Sequence, residues 1–217
     1  MKNNFNYTSI LICLFLTPSC ATKPPYEKGN FKSSDLVELV ELDSTIHLDI
    51  RYATNNNLAG RPVYAEARAF LQRPAAEALV KVNEKLKPLG YGLHIFDGYR
   101  PWSVTKLFWD ITPVENKKFV ANPKDGSRHN RGCAIDLSLY ELNSGKEILM
   151  TSQYDEMNES SYANFKGGTI EQRKIRDLLI NEMEGNGFKV YEYEWWHFDF
   201  QGWETYRIQN IRFSEIK

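Results

Sequence analysis

The run Ser127-Arg128-His129-Asn130-Arg131-Gly132-Cys133-Ala134-Ile135-Asp136-Leu137-Ser138-Leu139 constrains this chain more than any other stretch. Its first half is basic and turn-forming and its second is small, β-branched and apolar, so the pattern predicts a loop entering a strand. Side chains alternate across a strand. Ile135, Leu137 and Leu139 therefore share one face, and Ala134, Asp136 and Ser138 share the other. An aspartate in such a strand is costly to bury unless it is hydrogen-bonded, paired or bound to a metal. His129 stands seven residues earlier. That is too far for a helical pair, but a loop folding back over the strand can bring it close. A capped turn with one hydrogen-bonded aspartate is the plainer reading of the same residues.

A chain of 217 residues is long enough to bury one full core. With 42% hydrophobic residues, twelve Tyr, twelve Phe and five Trp, it belongs with folded globules and not with disordered chains. The formal net charge is −1 and no Lys/Arg run or basic stripe is present, which argues against a nucleic-acid partner.

Residues 1–20 stand apart. Lys2 precedes an apolar run, Ser9–Leu16, and then Thr17-Pro18-Ser19-Cys20. This resembles a secretory signal and is too short to span a bilayer comfortably. Cys20 after Ser19 also resembles the acylation site of a bacterial lipoprotein, with Thr17 where that motif usually has Leu. The expected location is export, to the periplasm or to a lipid anchor on a membrane of a bacterial envelope. Processing would leave only Cys20 and Cys133, so disulfides are not expected to staple the fold. Residues 21–34 read as a polar tether, and residues 35–217 as one catalytic domain.

Along that domain, Leu36–Leu42 and Ile46–Tyr52 are strand-like, and 55–62 is a turn-rich loop. Pro74 opens a helix to about Leu86, and Pro88 stops it. Tyr91–Phe96 reads as a strand, Trp102–Ile111 as a helix, and 112–126 as a polar connection. After the central motif, Asn143–Lys146 is a turn before a strand at Glu147–Met150. Residues 151–168 form a long surface loop. Thr169–Glu184 is a helix with Ile175, Leu178, Leu179 and Met183 inward, and Phe188–Phe200 is an aromatic strand. The mixture predicts an α+β domain, with a central antiparallel sheet carrying the chemistry and helices on one side.

Four histidines are available as metal ligands. His47 and His94 sit in strand-like runs and read as structural. His129 and His197 each lie near a carboxylate in an unusual context, the second in Glu194-Trp195-Trp196-His197. Two neutral imidazoles and one carboxylate leave a tetrahedral zinc one open position, as hydrolysis requires. A carboxylate that is not a ligand must then move the proton, and Glu194 can fill that role. Positions i and i+3 face opposite sides of a regular strand, so the chain must bulge at Trp195-Trp196 for Glu194 and His197 to serve one metal.

Ser-x-His-x-x-Gly-x-Ala-x-Asp followed by Glu-Trp-Trp-His resembles the zinc D-alanyl-D-alanine dipeptidases of the vancomycin-resistance type, within the DD-peptidase and hedgehog-like metallopeptidase superfamily. Asp49-Ile50-Arg51-Tyr52-Ala53-Thr54, Asn57-Leu58-x-Gly60, Asp97-Gly98-Tyr99-Arg100-Pro101 and Met150-Thr151-Ser152-x-Tyr154-Asp155 occur in that family's order. The resemblance runs from about Leu36 to the C-terminus. It implies the DD-peptidase/hedgehog-like fold and one Zn²⁺ per chain held by His129, Asp136 and His197, with Glu194 as catalytic base. It also implies Arg100 at the scissile carbonyl, Asp155 and Tyr52 on the substrate ammonium, and Ser127 hydrogen-bonded to the dipeptide. Cys133 occupies a variable small position and, by strand parity, reads as packing. The expected reaction is hydrolysis of D-Ala-D-Ala in cell-wall peptide turnover. The same residues also suit a peptidoglycan carboxypeptidase or endopeptidase of the superfamily, or a non-catalytic zinc or cell-wall binding module.

Overall fold

Two long strands with complementary apolar faces set the frame. β4 (Tyr91–Asp97) and β5 (Ala134–Glu141) pair antiparallel in the computed structural model, which describes residues 23–217. The expected signal segment and the first two tether residues lie outside the described residues. Ahead of β4 come β1 (Leu36–Glu38), a short helix α1 (Leu39–Leu42), β2 (His47–Leu48), β3 (Phe70–Gln72) and α2 (Arg73–Leu86). Between β4 and β5 lies α3 (Trp102–Ile111). After β5 come α4 (Ile170–Glu184), β6 (Phe188–Tyr191) and β7 (Glu194–Phe200). The main sheet has the order β2-β4-β5-β7-β6, and β1 and β3 form a separate antiparallel pair.

The architecture is the expected α+β domain, with one difference at the sheet edge. β2 joins β4 in parallel, while the other neighbours are antiparallel. The chain passes through β3 and α2 between them, and a crossover of that length permits parallel pairing. The apolar periodicity of α2 and α4 places both helices in the main core. Leu79, Val82, Leu86, Leu179 and Met183 are fully buried there, in one cluster with Leu93, Ile95, Ile135, Leu137 and Leu139. Burial of each such side chain is worth about 1.5–3 kcal/mol. Leu178 is only partly buried. Instead Arg176 turns inward, donating from its guanidinium to the Phe165 carbonyl at 2.8 Å.

Other elements differ more. The second half of Leu36–Leu42 is helical, and Ile46–Tyr52 yields only a two-residue strand and a 3-10 turn at Arg51–Ala53. Glu147–Met150 makes a single bridge, Glu147 to Tyr140. Phe188–Phe200 is a hairpin, with a turn between β6 and β7. β3, absent from the sequence reading, is completely buried. These pieces are short, and tertiary contacts decide them where local pattern does not.

From Glu27 onward the segment expected as a tether is fastened to the folded body. The Glu27 carboxylate accepts from Arg131 at 2.6 Å and from the Ile208 N–H at 2.7 Å, and the Lys32 N–H reaches the Thr205 carbonyl at 2.9 Å.

Candidate active site and metal centre

Register builds the floor of the site. Asp97 on β4 pairs with Asp136 on β5, which pairs with His197 on β7, so the three side chains rise in a row from one face. The loop before β5 brings His129 over that row. His129–Arg131 makes a 3-10 turn closed by Gly132 at φ +70°, a conformation that suits glycine, and β5 begins two residues later. Gly98 secures the ring. A β-carbon there would lie 2.7 Å from the Phe70 carbonyl oxygen, and its own carbonyl accepts from His129 Nδ1 at 2.7 Å.

That bond fixes the tautomer. With Nδ1 donating to Gly98, Nε2 of His129 is left as a lone pair. His197 is set the opposite way: its Nε2 donates to Asp199 Oδ1 at 3.0 Å, so in the neutral ring Nδ1 is left bare. The two bare nitrogens are 3.1 Å apart, and Asp136 Oδ1 is 3.0 Å from His197 Nδ1 and 3.4 Å from His129 Nε2. Three electron-pair donors crowded together in a buried place repel one another unless a cation lies between them. Their separations fit one, since ligand atoms on a tetrahedral zinc with bonds of about 2.0–2.1 Å lie about 3.3 Å apart. With the His197 ring charged instead, a proton takes that cation's place: against the cost of burial, Asp136 and Asp199 raise the imidazole well above its ordinary range, and the histidines hold Asp136 well below its own. Both imidazoles also carry the oxygen partner on the far nitrogen that metal-binding histidines require.

Glu194 reaches the same place because β7 bulges. Val190 pairs with Phe198 and the next residue, Tyr191, pairs with Glu194, so Trp195, Trp196 and His197 are extra on β7. The bulge that the i, i+3 spacing demanded therefore exists, and Glu194 Oε2 lies 4.0 Å from His197 Nδ1. The bulged indoles anchor it: Trp195 is buried and donates to Ser152 Oγ at 2.8 Å. Burial, only partly offset by His197, pushes the Glu194 carboxyl up to about 8.

Arg100 lies behind this centre. Its guanidinium contacts Asp97 Oδ2 at 2.8 Å and Asp136 Oδ2 at 3.5 Å, flanked by the rings of Tyr52 and Phe108. Across the cavity, Tyr52 donates to Asp155 Oδ2 at 3.0 Å. Asp155 adopts φ +60° and turns its carboxylate inward, where burial raises it to about 7. Ser127 lines the wall, and its Oγ accepts the His129 N–H at 3.2 Å. All of the sequence-derived site residues thus line one cavity of about 170 Å³. This is well below the range of about 300–1,000 Å³ typical for larger ligands. Phe119, Val120 and Met157 are among the apolar residues that also line it.

Three contributors escaped the sequence reading. Asp199 supports His197, and its position two residues further on the same strand face was the available signal. Asp97 braces Arg100, three residues away in the same motif, and takes a hydrogen bond from Tyr64 at 2.8 Å. Tyr154 donates to Asp136 Oδ2 at 3.0 Å, a contact with no local signature. Among the described residues one other group of donors converges, Asp49, His94 and Glu147, but the Arg51 guanidinium already pairs with both carboxylates. His47 stacks on Tyr140 with ring centroids 3.6 Å apart, in keeping with a structural histidine. Cys133 is a free buried thiol that burial pushes up to about 12, which makes it packing.

A buried two-histidine, one-carboxylate donor set, a further raised carboxyl beside it and a small cleft in an α+β domain define a hydrolytic metallopeptidase. The comparisons with known proteins agree. A peptidase family described as "D-ala-D-ala dipeptidase" matches residues 32–216, and the chain belongs to that family. It is 32% identical to the D-alanyl-D-alanine dipeptidase of Escherichia coli (strain K12), over 84% of this chain and 93% of the relative. To the D-alanyl-D-alanine dipeptidase of Enterococcus faecium it is 35% identical, over 72% of this chain and 88% of the other. Its identity to that of Streptomyces coelicolor (strain ATCC BAA-471 / A3(2) / M145) is 30%, over 76% and 91%.

Proposed function

We propose that this chain is a zinc-dependent dipeptidase that hydrolyses D-alanyl-D-alanine to two D-alanines, exported to a bacterial envelope. The observation that carries the reading is the convergence of His129 Nε2, His197 Nδ1 and Asp136 Oδ1 with Glu194 only 4.0 Å away. A binding module has no use for that fourth group.

His129, Asp136 and His197 would hold the zinc. When bound, it would acidify water and polarise the scissile carbonyl. Glu194 takes the proton of the attacking water and returns it to the leaving amine, a task that needs a carboxyl more basic than an ordinary one. Arg100, held in place by Asp97, faces the carbonyl oxygen and stabilises its developing negative charge. Asp155 pairs with the substrate ammonium, Tyr52 orients that carboxylate, and Ser127 hydrogen-bonds the dipeptide.

The small cavity and the placing of Asp155 support dipeptide selectivity. A longer stem peptide would offer Asp155 a neutral amide and leave its carboxylate buried without a counter-charge. Export rests on Lys2, the apolar run Ser9–Leu16 and Ser19-Cys20, with acylation at Cys20 providing a lipid anchor. Incorporation of labelled palmitate that disappears in Cys20→Ala is the test of that anchor.

The deciding experiment is hydrolysis of D-Ala-D-Ala beside a stem pentapeptide ending in D-Ala-D-Ala, each with chelator and with zinc restored. Zinc-restored cleavage confined to the dipeptide is the expected result. Cleavage of the pentapeptide would place the enzyme among carboxypeptidases, and zinc binding with no cleavage of either would leave a binding module.

A further inference from the structure

Asp136 offers only one oxygen to the two imidazoles. Its other oxygen, Oδ2, is 3.0 Å from the Tyr154 hydroxyl and 3.5 Å from the Arg100 guanidinium. The Tyr154 hydroxyl is also 3.0 Å from that of Tyr52, which is 3.0 Å from Asp155 Oδ2. A line of oxygens thus runs Asp136, Tyr154, Tyr52, Asp155, from the metal-binding carboxylate to the carboxylate at the far wall. The Tyr154 ring is not free to drift from it. It stacks on Phe96, centroids 4.5 Å apart and 20° between planes, and meets the edge of Trp196 at 5.5 Å. Trp196 in turn directly precedes His197 on the bulged strand.

We propose that Tyr154 is a positioning residue of the metal centre: it holds Oδ2 of Asp136 away from the metal and ties that oxygen, through Tyr52, to the Asp155 carboxylate. The proposal rests on the zinc dipeptidase reading above. A carboxylate engaged on one oxygen ligates through the other alone, which keeps a coordination position open for chemistry. The link to Asp155 follows from counting protons. With Asp155 ionised, three oxygen-to-oxygen contacts share two phenolic protons, and an acceptor-only Asp136 claims that of Tyr154. Tyr52 is then divided between Tyr154 and Asp155. An ammonium arriving at Asp155 competes with Tyr52 for that carboxylate, so the occupancy of one end of the line is felt at the other.

Tyr154→Phe keeps the ring between Phe96 and Trp196 and removes only the hydroxyl. Zinc affinity is measured by competition with a chromophoric chelator, with thermal unfolding of the metal-free protein beside it. The expected result is zinc binding about 10–100-fold weaker, with the metal-free unfolding temperature little moved and the dipeptide KM raised at saturating zinc. Wild-type zinc affinity in the folded variant would overturn the proposal. Weakened zinc binding with unchanged KM would overturn the tie to Asp155. His129→Ala separates this from failure of the underlying reading: if that variant still binds zinc as the wild type does, the metal centre itself is misassigned, whatever Tyr154→Phe shows.

Discussion

Two carboxyls in this cleft sit where ordinary carboxylates do not titrate, and burial does the same thing to both. Glu194 is raised to about 8 and Asp155 to about 7. In the proposed mechanism their tasks separate them: one must exchange a proton, while the other must be ionised to hold an ammonium. Glu194→Gln keeps the shape and removes the proton acceptor. Its expected effect is a fall in kcat of at least 10²–10⁴-fold with zinc content unchanged, read by steady-state kinetics beside metal analysis. For Asp155 the sign follows from the raised value. Below about pH 7 it carries a proton and cannot pair with the ammonium, so KM is expected to fall as pH rises through 7. It should rise again once the substrate amine, with an ordinary value of about 8, loses its own proton. A KM that stays flat from pH 6 to 8 would count against the assignment. The same shift bears on stability. Native Asp155 keeps a proton that the unfolded chain has already released, so its contribution declines as pH climbs from about 4 towards 7. Asp155→Asn removes that loss, and is expected to melt at a higher temperature at pH 8 while the dipeptide KM rises.

At the scale of elements, the site depends on two departures from regular structure. One is the β7 bulge, which brings Glu194 and His197 to one cavity. The other is the 3-10 turn His129–Arg131 with Gly132 behind it in the left-handed region. Gly132→Ala forces an L side chain into that backbone and sets its β-carbon 2.5 Å from Leu36 Cδ2. A loss of about 1–2 kcal/mol in denaturant unfolding is expected, together with weaker zinc binding because His129 rides on the turn. α4 supplies a contrasting case. Thr169 and Gln172 form a reciprocal capping box at its start, and neither lines the cavity. Thr169→Ala should cost about 1 kcal/mol of stability and leave kcat and KM alone. Activity lost in proportion to stability there would mean that the helix does more than cover the sheet.

Over the whole molecule, distant segments meet at the turn that carries His129. Arg131, next but one to His129, is buried and held by Glu27 from the N-terminal segment and by the Tyr206 carbonyl from the C-terminal one. A hydrogen bond to a charged group is worth about 1.5–3 kcal/mol, so Glu27→Ala is expected to lower the unfolding free energy by that order. Two separate shifts in unfolding temperature check the arrangement. Chelation should lower the unfolding temperature of the wild type, since metal bound only by the native state stabilises it by mass action. Glu27→Ala should lower it further even without metal, because its contact is made with the protein alone.

Much of this was legible in residues taken locally. The alternation around Asp136, the helical periods of α2 and α4, and the i, i+3 conflict between Glu194 and His197 are short-range facts, and they led to the sheet, the helices and the need for a bulge. What stayed hidden was set by contacts between residues far apart in sequence. β3 is a strand because β1 pairs with it, not because Phe70-Leu71-Gln72 alternates. The N-terminal segment is fixed because Glu27 meets Arg131 across more than a hundred residues. The Tyr154 to Asp136 contact exists only because a long loop and a central strand are folded together. Sequence alone nominated the candidate donors, through side-chain type, strand parity and the family resemblance, because a residue's ligand chemistry is carried by its own side chain. Only the tertiary structure decided how they are braced, because a hydrogen bond depends on where two atoms finish in space.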